Sequence, residues 1–377
     1  MDFEYTLEQG MLRDTLAGFL ADRYGFEARQ AAVRSAAGWR PEIWQALARE
    51  LDVLGAGLPE SLGGQCTDAR GGAIEHAIVM EEFGKALALE PYLGTAVIGG
   101  GALQAVGGAL ARDFGPRIVG GEAIVALAHS EPQARYHLDD VQTAATAARS
   151  GYLLNGRKSL VLGGPWATQL LVSARSGDGM SLFLLDADTR GIRRRDYPTF
   201  DGSRASELIL ENVAAPASRL IGEEAAALPL LERLVDEAIC ALCAEAVGAM
   251  RRMHADTVSY ALQRKQFGQP LAMFQVLSHR IADMFVALEQ SSALTQVATL
   301  KLDTPERAIA ASAAKVQVGN AGKFVGQSAI QIHGGMGITE ELALGHYFKR
   351  LTAIGAQFGS TDHHLQRYAD LTLGAVA

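Results

Sequence analysis

Five short stretches carry residue types that could do chemistry. In "YALQRKQFGQPLAMFQ" (Tyr260–Gln275), Arg264 and Lys265 stand just before Gly268 and Pro270. A helix ending on two cations, with a new one starting near Phe274, places positive charge at a joint, which suits a phosphate. A plain surface turn between helices is the alternative. In "SAIQIHGGMGI" (Ser328–Ile338), Gly334 and Gly335 are adjacent and Gly337 follows. Glycine costs backbone entropy, so the cluster marks either a helix cap or a backbone that something approaches closely. "HSEPQ" (His129–Gln133) follows an apolar run and could present backbone donors from a short polar turn. "CALC" sets Cys240 and Cys243 in a C-x-x-C, but inside "EAICALCAEAVGAM", which reads as a buried helix. A redox pair needs an exposed helix start, so core thiols are expected. His363-His364 in "STDHH" suggests a metal, yet adjacent side chains diverge on a helix and no third ligand is indicated. A solvated helix start is the expectation there.

The elements that must position these residues fall into three blocks, an α+β multidomain arrangement. Residues 1–120 read as helical. "TLEQGMLRDTLAGFLADRYG" puts Leu12, Leu16 and Leu20 on one face. "PEIWQALARELDVLGAG" has proline at its start and glycine at its end. "GGAIEHAIVMEEFGKALAL" and "GGGALQAVGGALARDFG" are further helices. Residues 121–222 carry short apolar or alternating runs separated by turn residues, the pattern of an antiparallel, barrel-like β domain. Asn155-Gly156 between apolar flanks predicts a hairpin turn. Residues 223–377 return to longer helices. Leu277, Ile281, Met284 and Leu288 form one stripe, a further helix is expected from about Pro305 to Ile332, and the set reads as a four-helix bundle.

Composition narrows the functional class. The chain has 377 residues, 49% hydrophobic and 20% charged, as in ordinary water-soluble proteins, with a formal net charge of -8. That balance argues against nucleic acid as the main partner. The N-terminus lacks an apolar core, and no apolar run is long enough to cross a bilayer. Three cysteines are too few for a disulfide framework and fit the reducing cytoplasm. No phosphate-loop or zinc spacing occurs. "GGGALQAVGG" fails as a dinucleotide fingerprint, because its sixth position is Gln104 and no βαβ unit surrounds it.

Together, "YALQRKQFGQPLAMFQ", "HRIADM" and "QIHGGMGITEE" resemble the C-terminal signature of the acyl-CoA dehydrogenase family. "HSEP" resembles a variant of its Thr-Glu-Pro turn. The resemblance spans nearly the whole chain, including "LDVLGAGLPESLGG" and the helix–β–helix order. It implies FAD in a cleft between the β domain and the C-terminal helices, with part of the site on a neighbouring subunit. By position, Arg264, Gln266 and Phe267 would hold the diphosphate and adenine side, with Gln275 beside them. Gln331, Gly334 and Gly335 would form the close backbone approach from the adjoining chain. Leu127, His129 and Ser130 would lie against the flavin ring, and Asp362 matches a cofactor-contacting position. The implied reaction is α,β-dehydrogenation of an acyl-CoA thioester. A carboxylate takes the α-proton, and the β-hydride passes to the flavin. An electron-transfer flavoprotein is the implied acceptor, fatty acid metabolism the setting, and a homo- or hetero-oligomer, a tetramer, the assembly.

The pattern breaks at the base. The usual glutamate position falls on Phe358 and the alternate one on Ala238. Glu237 is adjacent, but one residue turns a helical side chain by about 100°. Asp362 and Glu341 are further carboxylates, and none stands out. The family's tryptophan and threonine beside the flavin fall on Leu160 and Leu162, which implies an apolar wall. "QARYHLDD" replaces the usual Gly-Ser-Asp, and Arg135 or Tyr136 could meet CoA or a distal substrate carboxylate. The expectation is a small subunit working with a related, base-bearing large subunit. Alternatives are a self-sufficient enzyme with a relocated base, an oxidase or monooxygenase on the same fold, and a non-catalytic structural subunit. The acyl group could be dicarboxylyl, a steroid side chain or plain fatty acyl.

Overall fold

The structure, a computed structural model, describes residues 4–66 and 72–374. Their contacts divide the chain into two compact units. The helical unit takes the described parts of Met1–Ala31, Ala77–Ala88 and Ile239–Ala377, and the sheet unit those of Ala32–His76 and Leu89–Ala238.

In the sheet unit, α3 (Pro41–Arg49) begins with Pro41 in its first turn, where a missing N–H costs nothing. It stops short of the predicted glycine, because Asp52 turns into the left-handed region at φ 51° and a 3-10 turn, Val53–Gly55, follows. The glycine-rich stretch is not one helix. A π-helical segment, Leu93–Gly99, runs into α5 (Gly100–Val106). Gly107 and Gly108, at φ 61° and 68°, then break the chain before α6 (Gly108–Val119).

Eight strands follow: β1 (Val125–Ala128), β2 (Ala144–Ala148), β3 (Gly151–Leu162), β4 (Gln169–Ser176), β5 (Gly179–Asp186), β6 (Ile192–Pro198), β7 (Arg204–Pro216) and β8 (Leu220–Ile221). They are hydrogen-bonded in the order β6-β7-β3-β2-β4-β5-β8, with β1 alongside β4. Most pairs are antiparallel as expected, but β1 and β2 both run parallel to β4. Leu154, Val161, Val172, Phe183, Leu208 and Leu210 fill the core.

Asn155-Gly156 is not a hairpin turn. Strand β3 passes straight through it and pairs with β7 on both sides, with a register shift between Leu154 and Gly156. Asn155 accepts from the Asn212 N–H at 2.8 Å. A Cβ on Gly156 would lie 2.5 Å from Thr143 Oγ1. The glycine serves a close strand approach rather than a turn.

In the helical unit, α1 (Leu7–Arg23) opens on a capping box between Thr6 and Gln9, and Leu16 and Leu20 are buried. Helix α2 is Phe26–Arg34. Helix α4 is Ala73–Ala86, and Gly71 of its predicted start lies outside the described residues. Helix α7 (Leu228–Gln263) is one element of 36 residues, which the division of units crosses after Ala238. It ends at a small hairpin of β9 (Lys265–Gln266) and β10 (Gln269–Pro270). Then come α8 (Gln275–Leu300), α9 (Arg307–His333), α10 (Ala343–Ala356) and α11 (Thr361–Leu373). Helix α9 packs against α8, α10 and α11. No described helix is long and apolar enough to cross a membrane.

Helices α4 and α7 meet backbone to backbone. A Cβ on Gly84 would fall 1.9 Å from the Glu245 carbonyl, and one on Gly248 would fall 1.9 Å from that of Glu81. Arg350 of α10 locks the crossing with two bonds to the buried Glu245 carboxylate, the second at 2.7 Å.

Candidate functional site

In the sheet unit the site-bearing feature is the turn after β1. Leu127 is buried on β1 opposite Leu171 of β4. His129 and Ser130 follow, with His129 Nε2 and Ser130 Oγ 3.3 Å apart. The turn is tied to β3 by the Ser159 N–H donating to the Ser130 carbonyl at 2.9 Å. Beneath it lies an ion pair invisible to motif reading. Lys158 Nζ, fully buried, donates to Glu131 Oε1 at 2.7 Å, Ser173 Oγ at 2.9 Å and the His129 carbonyl at 3.3 Å. Glu131 also accepts from the N–H groups of Gln142 and Thr143.

Burial alone would raise the Glu131 carboxyl, but the Lys158 ammonium and these donors outweigh it and hold it down to about 2. Burial pushes the Lys158 amine down to about 8 against the pull of Glu131. The pair is therefore charged at neutral pH. Burial, with Lys158 nearby, pushes the His129 imidazole down to about 4, so it is neutral there.

A second register shift, between Lys158 and Val161, leaves Leu160 at φ 51° with its side chain half exposed. Leu162 is half-buried. Arg135 is exposed at φ 49° and Tyr136 is half-buried, both on the loop that continues the turn. Residues 127–136 and 158–162 thus meet around β1 and β3. Away from them, Ala238 is fully buried, while Glu237 is ion-paired with Arg233 at 2.8 Å. The Glu237 Oε2 lies 2.9 Å from where a Cβ on Gly101 would be.

In the helical unit the predicted joint forms as expected. Arg264 follows α7, and Phe267 and Gly268, at φ 51° and 84°, make the tip of the β9–β10 hairpin. Arg264, Gln266 and Gln275 are exposed, and Phe267 is 94% exposed. Stacking of Tyr260 on His333, 4.2 Å between ring centroids, brings the end of α7 beside the end of α9. There Gln331 is exposed, and Gly334 caps the helix at φ 60°. No other group lies within 4 Å of a Cβ built on Gly334 or Gly335. The cap explains Gly334, but the open space beside Gly335 remains.

Phe358 sits just beyond α10 at φ 54°, in a loop held from behind. The buried Lys315 Nζ donates to the carbonyls of Ile354 at 2.6 Å and Gly359 at 3.0 Å. His364 Nε2 donates to the Phe358 carbonyl at 3.0 Å, while its Nδ1 faces Ser312 Oγ at 3.4 Å. A Cβ on Gly359 would strike the His364 ring, 2.4 Å from Nε2. His364 is thus no part of a solvated helix start. It is 1% exposed, and burial pushes its imidazole down to about 3. Asp362 and Glu341 are exposed. No metal-capable cluster of three His, Cys, Asp or Glu occurs among the described residues. Cys240 and Cys243 are buried, and burial pushes the Cys243 thiol up to about 12, as expected of core thiols.

The buried lysines were readable in principle. Lys158 shares the inward face of β3 with Leu154, four residues away, and Lys315 lies on α9 four residues after the buried Ala311 and three before the buried Val318. A lysine in such a register needs internal acceptors.

Residues 6–122, 126–213 and 230–371 match the N-terminal, middle and C-terminal domains of acyl-CoA dehydrogenase. The chain belongs to the acyl-CoA dehydrogenase family. Acyl-CoA dehydrogenase IpdE2 of Mycobacterium tuberculosis is 30% identical over 348 residues, covering 91% of this chain and 90% of that one. The Tcur3481-Tcur3483 steroid ACAD is 29% identical at a TM-score of 0.87, covering 98% and 99%. The FAD complex of PigA is 25% identical at a TM-score of 0.91, covering both chains fully, 100% of each. The family is one of FAD-dependent oxidoreductases acting on CH–CH bonds, and the fold here is its helix–β–helix fold.

Proposed function

We propose that this chain is the FAD-binding small subunit of a heteromeric acyl-CoA dehydrogenase, in which a related large subunit supplies the catalytic carboxylate. The observation that carries the reading is the loop at Phe358. Lys315 and His364 fix its backbone, yet its side chain cannot accept a proton. The buried Ala238 is equally inert. The steroid ACAD relative, named for two components, agrees with a paired assembly.

The residues present fit FAD. Open space at Gly334 and Gly335 lets a bulky anion come close to the main chain there, with the Gly334 N–H itself held in the cap of α9. We assign Arg264, Gln266, Phe267 and Gln275 to its diphosphate and adenine side, and Gln331, Gly334 and Gly335 to the same group held by an adjoining chain in a tetramer. Asp362 is a further contact. Leu127, His129, Ser130, Leu160 and Leu162 would line the isoalloxazine, with the Ser130 hydroxyl as its hydrogen-bond partner. When bound, FAD supplies the acceptor for the substrate's β-hydride. The chain's own part is to orient that ring and keep water from its apolar face.

We assign Arg135 and Tyr136 to CoA or a distal substrate carboxylate, which favours a dicarboxylyl thioester. The segments "EPYLGTAVIGGGAL", "VDEAICALCAEAVGAM" and "FQVLSHRIADMFVALEQ" most resemble the small subunit of pimeloyl-CoA dehydrogenase. An electron-transfer flavoprotein is the proposed acceptor, and buried thiols suit a cytoplasmic setting. Anaerobic absorption spectra of the purified chain, before and after adding acyl-CoAs including pimeloyl-CoA, test the reading. The expected result is a bound flavin that stays oxidised until the large subunit is added. Bleaching by the chain alone would overturn the division of labour. Absence of any flavin after FAD reconstitution would overturn the cofactor role.

A further inference from the structure

The buried Lys158–Glu131 pair asks for a reason. Exchange of a buried ion pair for apolar residues is often neutral or stabilising, so stability alone does not account for it. The ammonium has three N–H groups and three acceptors, Glu131 Oε1, Ser173 Oγ and the His129 carbonyl. The first two belong to the interior of the sheet unit. The third is different, because it reaches the main chain of the turn itself, one peptide away from Ser130. The Glu131 carboxylate meanwhile grips the Gln142 and Thr143 N–H groups and accepts from Gln133 Nε2 at 3.0 Å. The far side of the turn is therefore held by the acid and the near side by the lysine.

We infer that Lys158 is a positioning residue for the cofactor: through the His129 carbonyl it fixes the direction in which the His129 ring and the Ser130 hydroxyl face the flavin. This rests on the reading of His129 and Ser130 as flavin-facing. The peptide joining His129 to Ser130 carries the carbonyl that Lys158 holds. The next carbonyl, of Ser130, is held by the Ser159 N–H at 2.9 Å. With two successive carbonyls fixed, the dihedrals of Ser130 are set, and with them its Cα–Cβ direction, which leaves the hydroxyl only a few staggered positions. The hydroxyl then needs only to choose between His129 Nε2, 3.3 Å away, and the ligand. Loss of the ammonium frees the first of those carbonyls while the β3 contact remains.

The test separates charge balance from positioning. Glu131→Gln with Lys158→Met removes both charges and keeps the volume near that of the native pair, whereas Glu131→Gln alone keeps the lysine amine, which still has an N–H for the His129 carbonyl when neutral. Melting temperature of the FAD-free chain, FAD affinity by flavin fluorescence and the absorption bands of bound flavin are measured for the wild type and both variants. The double variant should melt near the wild type yet bind FAD about tenfold or more weakly with shifted bands, the size expected for losing a hydrogen bond to a charged group. Glu131→Gln should keep its affinity within about threefold whatever it costs in melting temperature. A double variant with wild-type affinity and spectrum overturns the inference and leaves the FAD reading intact. If the double variant does not fold, a tenfold loss in Glu131→Gln overturns it instead, because the carbonyl contact survives there. A wild-type chain that binds no FAD overturns the FAD reading itself.

Discussion

Phe358 occupies a left-handed backbone position that a non-glycine residue enters at some cost, and that cost is already met by the clamp of Lys315 and His364. Glutamate in the same place adds no backbone strain beyond what phenylalanine bears. If the loop is a base-presenting scaffold lacking its base, Phe358→Glu should give the isolated chain measurable flavin bleaching by acyl-CoA, with a rate gain of about 100-fold or more over the parent. A stopped-flow trace as flat as the parent's would show that the loop does not face the acyl group. Three histidines set a pH limit on the same chain. The imidazoles of His76, His129 and His364 are pushed down to about 4, 4 and 3, chiefly by burial. Each takes a proton in the unfolded chain near pH 6.5 but resists it when folded, so stability is full above that pH and falls as pH drops toward 4. His76, hydrogen-bonded to the Tyr92 hydroxyl at 2.9 Å, should contribute about 2 kcal/mol of that loss between pH 6.5 and 4.5. Denaturant unfolding of His76→Gln across that range should show a shallower pH slope by about one proton. An unchanged slope would mean the imidazole protonates in the folded state.

At the scale of elements, the α4–α7 crossing has no room for a methyl group. Gly84 and Gly248 each face a partner carbonyl of the other helix, so the fault cannot be relieved by a rotamer change. Gly84→Ala or Gly248→Ala should each destabilise the chain by about 2 kcal/mol or more, even though alanine is the better helix former. Thermal unfolding of the two single variants checks this, and a stabilised Gly84→Ala would mean the helices separate freely. These glycines also show what the sequence could not convey. Periodicity located α1 and α8, since their buried residues recur at helical spacing, and proline at its start marked α3. It gave no reason for Gly84, because the surface it meets is 161 residues away at Glu245. Asn155-Gly156 failed in the opposite way. The local turn signal was genuine, but the β7 partner and the packing of Thr143 on Gly156 outweighed it. The glycine break at Gly107-Gly108 was hidden because the residues on both sides favour helix. Of the site, the hairpin after α7, the turn after β1 and the cap at Gly334 were legible as motifs. The charges behind them were not, since Lys158 and Lys315 lie in stretches that read as apolar core.

For the whole molecule, the question is whether catalytic competence lies in one chain or two. Phe358 and Ala238 leave Glu237 as the carboxylate nearest to either expected base position in sequence. It sits against Gly101, with Arg233 holding its other oxygen. Arg233 Nε donates to the Glu237 Oε1 at 2.8 Å, so one of its two oxygens is already engaged. Two outcomes therefore separate the assemblies. In a two-component enzyme, Glu237→Gln in this chain should leave turnover of the reconstituted complex within about twofold, while replacement of the large subunit's base should lower it by at least about 100-fold. In a self-sufficient enzyme the order reverses, with Glu237→Gln abolishing substrate-driven flavin reduction while FAD stays bound. Single-turnover flavin reduction, with FAD content measured in each variant, distinguishes lost chemistry from lost cofactor. We expect the first pattern, because the Phe358 loop is fully braced yet inert, and a chain that had moved its base to Glu237 would have no use for Arg233 beside it.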